Sequence, residues 1–305
     1  MERVAIIGSG VAGLGSAWLL KERYEVHLFE AGNTFGGHSN TVCVDEGDRM
    51  VPVDTGFIVF NEKNYPNLTA LLSELEIATH PTVMSFGVTI DAGRIEYAGS
   101  GLNTLFAQRR NLARPGHWKM LGEILRFNTR CKQLIETDAF AASSLGDFLQ
   151  QEHYSSRFRN HYLLPMAAAI WSCPTRTMLQ FPLESFVHFF RNHGLLDIRD
   201  RPQWRSVLGG SHNYVERITA ALGGRATHSS PVRAVRRSDS GIELFFSGGD
   251  SRRFDRVVIA THADQALQLL ESPSAQEAEL LRRFHYQTNY AWLHSDSRLM
   301  PRSRR

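Results

Sequence analysis

The residues of this chain with the clearest chemistry are three glycines and one acid near its start. Gly8-Ser9-Gly10-Val11-Ala12-Gly13 follows the wholly apolar run Val4-Ala5-Ile6-Ile7, and Glu30 stands 22 residues after Gly8. Each type suits the binding of a dinucleotide. Gly8 permits a tight turn, Gly10 lets the backbone approach a pyrophosphate, and Gly13 lets a helix lie close to a strand, with Ser9 and Ala12 between them. A helix beginning here offers free N–H groups and partial positive charge to phosphates. Glu30 is spaced to accept hydrogen bonds from the adenosine ribose hydroxyls. Its charge would repel a 2′-phosphate, which disfavours NADP.

A glycine pattern alone is weak evidence, so the elements that hold it decide its meaning. The run at 4–7 predicts a strand buried on both faces of a parallel sheet. Leu14, Ala17, Trp18 and Leu20 predict a helix, and a second strand over 25–29 ends at Glu30-Ala31. Strand, glycine turn, helix and terminal acid together predict nucleotide binding. The motif itself leaves NAD and FAD both open. After the acid come Gly36-Gly37-His38, two β-like stretches at 41–44 and 50–54, and Asp54-Thr55-Gly56-Phe57.

These residues resemble the glutathione-reductase-like FAD superfamily, in the branch holding amine oxidases, carotenoid desaturases and protoporphyrinogen oxidases. More closely, the chain resembles a bacterial group of FAD-dependent, amine-oxidase-like proteins through Gly36-Gly37-His38-Ser39-Asn40-Thr41, Asp54-Thr55-Gly56-Phe57-Ile58-Val59-Phe60-Asn61 and Tyr162-Leu163-Leu164-Pro165-Met166. Ala169-Ile170-Trp171-Ser172 and Thr261-His262-Ala263-Asp264-Gln265-Ala266-Leu267 carry it further. The resemblance implies a tightly bound FAD and an oxidoreductase, a flavoprotein acting on a small molecule. Gly36, Gly37 and His38 would line the pyrophosphate and flavin, and Asp54, Thr55, Gly56 and Phe57 would lie beside the flavin. Val232 would meet adenine through its backbone, and the strand ending at Thr261 would close over the cofactor. His38 departs from the arginine usual in amine oxidases. Histidine is charged only below about pH 6.5, so the N–H groups of Gly37 and His38 are expected to carry the anion contact. The lysine that amine oxidases often keep near the flavin has no counterpart here. Lys21, Lys63, Lys119 and Lys132 follow no supporting motif, and no catalytic residue is assigned. Asp54 is a candidate proton acceptor by position alone.

The rest of the chain is read around this site. A helix is expected from Pro66, one strand over 82–90, and a partner strand over 94–97 after Asp91-Ala92-Gly93. Helices follow from about 105 to 190. Residues 106–132 carry seven basic residues against Glu123 alone, with Met120, Ile124, Phe127, Cys131 and Leu134 at helical spacing. Such a helix either faces a core with a solvated basic rim, the favoured reading, or lies on an anionic membrane as a peripheral contact. Likewise 163–171 is either core, slightly favoured, or the lining of an apolar substrate cavity. Nucleotide-domain elements return with a helix over 214–221 and strands over 231–235, 242–246, 253–254 and 255–261. A helix over 275–284 and a strand over 286–293 are expected last. No glycine follows Thr261, so the late glycine-rich segment of the amine oxidases is missing and the fold is expected to be C-terminally incomplete.

Composition excludes several other classes. The net charge of +3 is too small to indicate nucleic acid as a partner. Cys43, Cys131 and Cys173 form no CxxC and the thirteen histidines include no HExxH, so no metal site is expected. With no leader-like start and no apolar run near the roughly 20 residues that span a bilayer, a cytoplasmic location is the default.

The fold class expected is therefore α/β: a glutathione-reductase-like Rossmann FAD-binding domain over 1–78 and 209–273, with an inserted α+β substrate domain over 79–208 and 274–305. The expected function is hydride transfer from an amine or lipophilic, lipid-like substrate to flavin N5. A flavin-dependent mutase or isomerase of the same fold, or a truncated non-catalytic remnant, are the alternatives.

Overall fold

The computed structural model describes residues 1–99, 101–197, 202–239 and 241–302. The chain forms two compact units. The first comprises Met1–Phe60, Tyr65–Thr82 and Arg205–Ala291, and the second Asn61–Asn64, Val83–Trp204 and Trp292–Arg305.

The first unit is built on a four-stranded parallel sheet in the order Ala226–Thr227, Glu25–Phe29, Arg3–Ile7, Arg256–Ile259. The central strand Arg3–Ile7 (β1) is almost wholly buried because both of its faces are covered. Alternation sorts its side chains: Val4 and Ile6 join a cluster with Leu14, Ala17, Tyr214 and Ile218, whereas Ala5 and Ile7 join Phe29, Val232, Val235, Leu244 and Phe254. The first cluster is roofed by helix Val11–Leu20 (α1) and helix His212–Leu222. The second is roofed by an antiparallel sheet of Val232–Ser238, Gly241–Phe246 and Ser251–Phe254. Ile6 and Leu14 are fully buried, each stabilising the unit by about 1.5–3 kcal/mol.

Two expectations about this unit are corrected. Residues 274–291 belong to it rather than to the second unit. Helices Ala263–Leu269, absent from the expectations, and Ala275–Leu281 are tied to the antiparallel sheet. Glu271 N–H donates to the Val235 carbonyl at 3.1 Å, and Arg236–Glu271 and Arg237–Glu277 pair at 2.6 and 2.7 Å. Residues 286–293 form no strand. Their aromatic residues suit a pleated surface, but Tyr290 is 84% exposed, with no neighbouring strand to receive it.

Of the single strand expected over 82–90 only Gly87–Ile90 forms as such; Thr82 ends a separate strand of the other unit, and 83–86 are not strand. Thr79–Thr82 lies in the first, where Arg205 Nε donates to Thr79 Oγ1 at 2.9 Å and Leu208 N–H to the Ala78 carbonyl at 2.9 Å. Gly87–Ile90 lies in the second and pairs antiparallel with Ile95–Ala98.

The second unit is mainly helical. Helix Pro115–Thr137 buries Met120, Phe127, Cys131 and Leu134 on one face, with Ile124 partly covered. The Phe127 ring has five aromatic neighbours, Phe148, Tyr154, Phe158, Phe186 and Phe190, with centroids 5.5–6.5 Å away. Basic residues of this helix are knitted to the same unit: Arg130 to Glu152 at 2.8 Å, Lys132 to Asp197 at 2.6 Å, and Arg126 over the Tyr154 ring. The core-facing arrangement is the one observed. Leu163, Leu164, Met166 and Ala167 are likewise core, in and beside helix Leu164–Trp171. Among the described residues no helix is long and apolar enough to cross a membrane.

Candidate cofactor site

The glycine turn connects β1 to α1, and its geometry explains each glycine separately. Gly8 has φ +99°, and a Cβ there would stand 2.7 Å from the Ala260 carbonyl oxygen. At Gly13 a Cβ would stand 1.9 Å from the Gly8 carbonyl oxygen, so α1 could not lie this close to the turn. Gly10 is different. Nothing lies within 4 Å of a Cβ built on it, so its bare backbone faces open space at the start of α1. Gly37, at φ +58°, places its own missing Cβ 3.1 Å from Gly10 Cα, docking the Gly36-Gly37-His38 turn onto the glycine loop.

Ser9 joins these parts. It is fully buried. Its hydroxyl donates to Glu30 Oε2 at 2.6 Å and accepts from Gly36 N–H at 3.0 Å, while its own N–H donates to Glu30 Oε2 at 2.9 Å. Gly32 N–H donates to Glu30 Oε1 at 2.8 Å. Burial opposes ionisation of Glu30, but the hydrogen bonds from Ser9, Gly32 and Ala31 together hold its carboxyl below the usual carboxylate range. A carboxylate accepts about four hydrogen bonds. The Ser9, Gly32 and Ala31 donors therefore take up most of that capacity within the chain.

Around the turn lies a cleft of about 1020 Å³, wholly within the first unit. Of the residues expected at the site, Gly8, Ser9, Gly10, Ala12, Glu30, Ala31, Gly37, His38, Val232 and Thr261 line it. Gly13, Gly36, Thr55 and Gly56 stand behind it. Gly56 packs under the His38 backbone, where a Cβ would meet the His38 carbonyl oxygen at 2.3 Å. Thr55 is bonded to Asn40, its N–H donating to the Asn40 carbonyl at 2.9 Å and its hydroxyl accepting from Asn40 Nδ2 at 2.7 Å.

Asp54 is not placed as a proton acceptor. Its Oδ1 accepts from Thr41 Oγ1 at 2.6 Å, Ser211 N–H at 2.9 Å and Ser211 Oγ at 2.8 Å. It braces the hairpin of Thr41–Asp45 and Met50–Asp54 against the start of helix His212–Leu222. Sequence reasoning missed several lining residues. Tyr214 is buried and bonded through its hydroxyl to Ser39; burial pushes its phenol up, so it stays neutral. Tyr65, also missed, meets Phe57, which was expected beside the flavin, edge to face at 6.3 Å. Arg233 follows the expected Val232. The ring of His262 stacks between His38, at 6.1 Å, and Tyr286, at 4.4 Å. The available signal was adjacency: Arg233 and His262 each follow an expected residue in the sequence. Among the described residues no group of three or more His, Cys, Asp or Glu is placed to hold a metal ion.

Residues 11–300 match the family described as flavin containing amine oxidoreductase. The chain belongs to this family. A Mycobacterium tuberculosis protein named as a flavin-containing monoamine oxidase, AofH, is 25% identical over 302 residues, covering 91% of this chain and 61% of that protein. The L-amino-acid oxidase of Siganus canaliculatus is 21% identical, covering 94% of this chain and 55% of its own length. Among solved structures, cyclohexylamine oxidase from Brevibacterium oxydans superposes with a TM-score of 0.69 at 21% identity, over 92% of this chain and 63% of that one. The chain therefore has the amine oxidoreductase fold and spans about three-fifths of the length of such relatives.

Family membership assigns flavin, as FAD, to this chain, and the cleft fits it. Gly10 leaves a gap that a side chain would fill, at a helix N-terminus with no acid in its first turn. Glu30 lines the cleft at the end of the second strand, Glu25–Phe29, and Val232 and Thr261 close its other walls.

Proposed function

We propose that the first unit holds FAD and that the protein is an oxidoreductase acting on an amine or another lipophilic small molecule. The observation that carries this reading is the single cleft joining the glycine turn, Glu30, Gly37-His38, Val232 and Thr261. In it the first N–H groups of α1 and the backbone of Gly10 would face the pyrophosphate. Glu30 would accept from the adenosine ribose, and the backbone at Val232 would meet adenine. Gly37 and His38 would line the pyrophosphate towards the flavin. When bound, the flavin supplies the two-electron acceptor for a hydride leaving the substrate carbon.

What the chain's own residues supply is position and dryness. Phe57, Tyr65 and Leu68 give the cleft an apolar wall, which excludes water from a reacting C–H bond. Tyr214 stays protonated beside Ser39 and holds that part of the loop in place. The second unit would carry the substrate side.

The test is the visible spectrum of the purified chain after incubation with FAD and removal of free flavin. The expected result is retained flavin absorbance and a raised melting temperature, since a ligand that binds only the folded state stabilises it. A colourless protein with an unchanged melting temperature would overturn the proposal. Anaerobic bleaching of that absorbance by primary amines, with a net oxidised product, would identify the oxidase reaction rather than an isomerisation.

A further inference from the structure

A second concavity, of about 330 Å³, lies in the helical unit where helix Pro115–Thr137 begins. Three guanidinium groups, of Arg94, Arg114 and Arg157, border it beside Pro115 and Gly116. Their counter-charges do not match. Arg94 pairs with Asp91 at 2.7 Å in an exposed ion pair. Arg114 donates to a neutral partner, Asn111 Oδ1, at 3.0 Å. Arg157 has no carboxylate partner among the described residues. Arg114 and Arg157 are both half-buried, and a partly desolvated cation without a counter-ion is costly.

The local shape keeps Arg157 in this position. A Cβ on Gly116 would stand 3.1 Å from both Cζ and Nε of Arg157, so the guanidinium lies against bare backbone in the first helical turn. Pro115 has no N–H and that of His117 donates to the Arg114 carbonyl at 2.9 Å, so the positive character of the hollow comes chiefly from the guanidinium groups. Two nearby imidazoles respond to the same positive field. Burial first, and then Arg157 and Arg114, hold His117 below its ordinary value despite a hydrogen bond to the Leu105 carbonyl. Burial, Arg157 and Arg94 do the same to His161, against the opposing pull of Asp91.

We propose that this hollow is an anion site for a phosphate group, carried either by a small phosphorylated metabolite or by a phospholipid headgroup. Planar guanidinium forks match the oxygens of a tetrahedral oxyanion. The volume lies at the low end of small-ligand pockets, enough for a phosphate and a short organic portion. Ile95 and Ala113 supply the apolar part of the hollow's lining. The site is independent of the flavin cleft, because all of its residues belong to the other unit.

The test titrates inorganic phosphate into the full chain with FAD in excess, so that the glycine turn is occupied if it binds flavin. The side-chain NMR signals of His117 and His161 report on this hollow alone. Saturable shifts of both signals are expected, with affinity about tenfold weaker in Arg157→Gln, the loss of roughly one charge-assisted hydrogen bond. Gly116→Ala guards against misfolding as the cause. Alanine favours the helix but presses a methyl group on the guanidinium, so binding weakens while melting temperature is kept. Co-sedimentation with phosphatidylcholine vesicles containing phosphatidic acid separates the two sources. Vesicle binding that Arg157→Gln abolishes supports the headgroup, and phosphate binding without vesicle binding supports the metabolite. The proposal is overturned if phosphate shifts neither imidazole, or shifts both equally in wild type and Arg157→Gln.

Discussion

The two units solve different problems with different residues. In the first, the features that matter are where side chains are missing: Gly8, Gly10, Gly13 and Gly37 let backbone approach backbone and leave space beside a helix start. In the second, the centre is filled with rings, Phe127 touching five others and Trp171 stacking on Phe186 and Phe190. One unit is specified by backbone geometry that few residues permit. The other is specified by apolar volume, which many sequences fill equally well. Substitutions should therefore act by different routes in the two units.

The largest effect is expected in the ring cluster. Phe127→Ala removes a side chain that is 1% exposed and should destabilise the second unit by about 4 kcal/mol. Flavin retention measured below the melting transition should change less than about twofold, which corresponds to well under 1 kcal/mol. A comparable loss of flavin would dissolve the contrast between the units. Next comes Gly13→Ala, whose methyl cannot coexist with the Gly8 carbonyl. A cost of about 3 kcal/mol together with loss of flavin is expected, read by thermal melting and absorbance. Gly10→Ala sharpens the comparison, because its methyl enters open space. Gly10 caps α1 and alanine is the poorer cap, so stability should fall by about 0.5–1 kcal/mol, while FAD affinity falls about tenfold; unchanged affinity would mean that the pyrophosphate lies elsewhere.

The smallest effect concerns Glu30. Its carboxyl is held below its ordinary value of 4.5 in the folded state. The stabilisation is therefore complete above pH 4.5 and is lost as pH falls through the lower folded value. Glu30→Gln should cost about 1 kcal/mol at neutral pH, discounted for partial exposure. Denaturant titrations should show that gap closing as the pH falls below 4.5 through the lower folded value. A gap that persists there would assign the effect to packing.

What was legible in the sequence follows the same division. Gly8, Gly10, Gly13 and Glu30 could be placed because their spacing mirrors a strand, a turn, a helix and a strand in immediate succession. Tyr214 and Tyr286 could not, since they reach the neighbourhood of the glycine turn only through long-range folding. The bracing role of Asp54 was hidden for a related reason: Ser211, which donates to its oxygens, is 157 residues away. The boundary at 273 was misplaced because Arg236–Glu271 and Arg237–Glu277 bind helices to a sheet whose strands lie tens of residues earlier. The strand expected over 286–293 was a correct reading of residue type without a neighbour to pair with.

The position of β1 has a consequence for biosynthesis. It lies between a strand made soon afterwards and another, Arg256–Ile259, that emerges only after some 250 further residues. Glu30 likewise waits for Thr227, whose carbonyl receives its N–H at 2.9 Å. At roughly 5–20 residues per second, a ribosome needs on the order of 10–50 s to bridge that interval. Until residue 226 both edges of the nascent strand pair are open, and throughout the interval the glycine turn lacks Ala260 behind it, so chaperone capture is most useful in this window and flavin can act only after it closes.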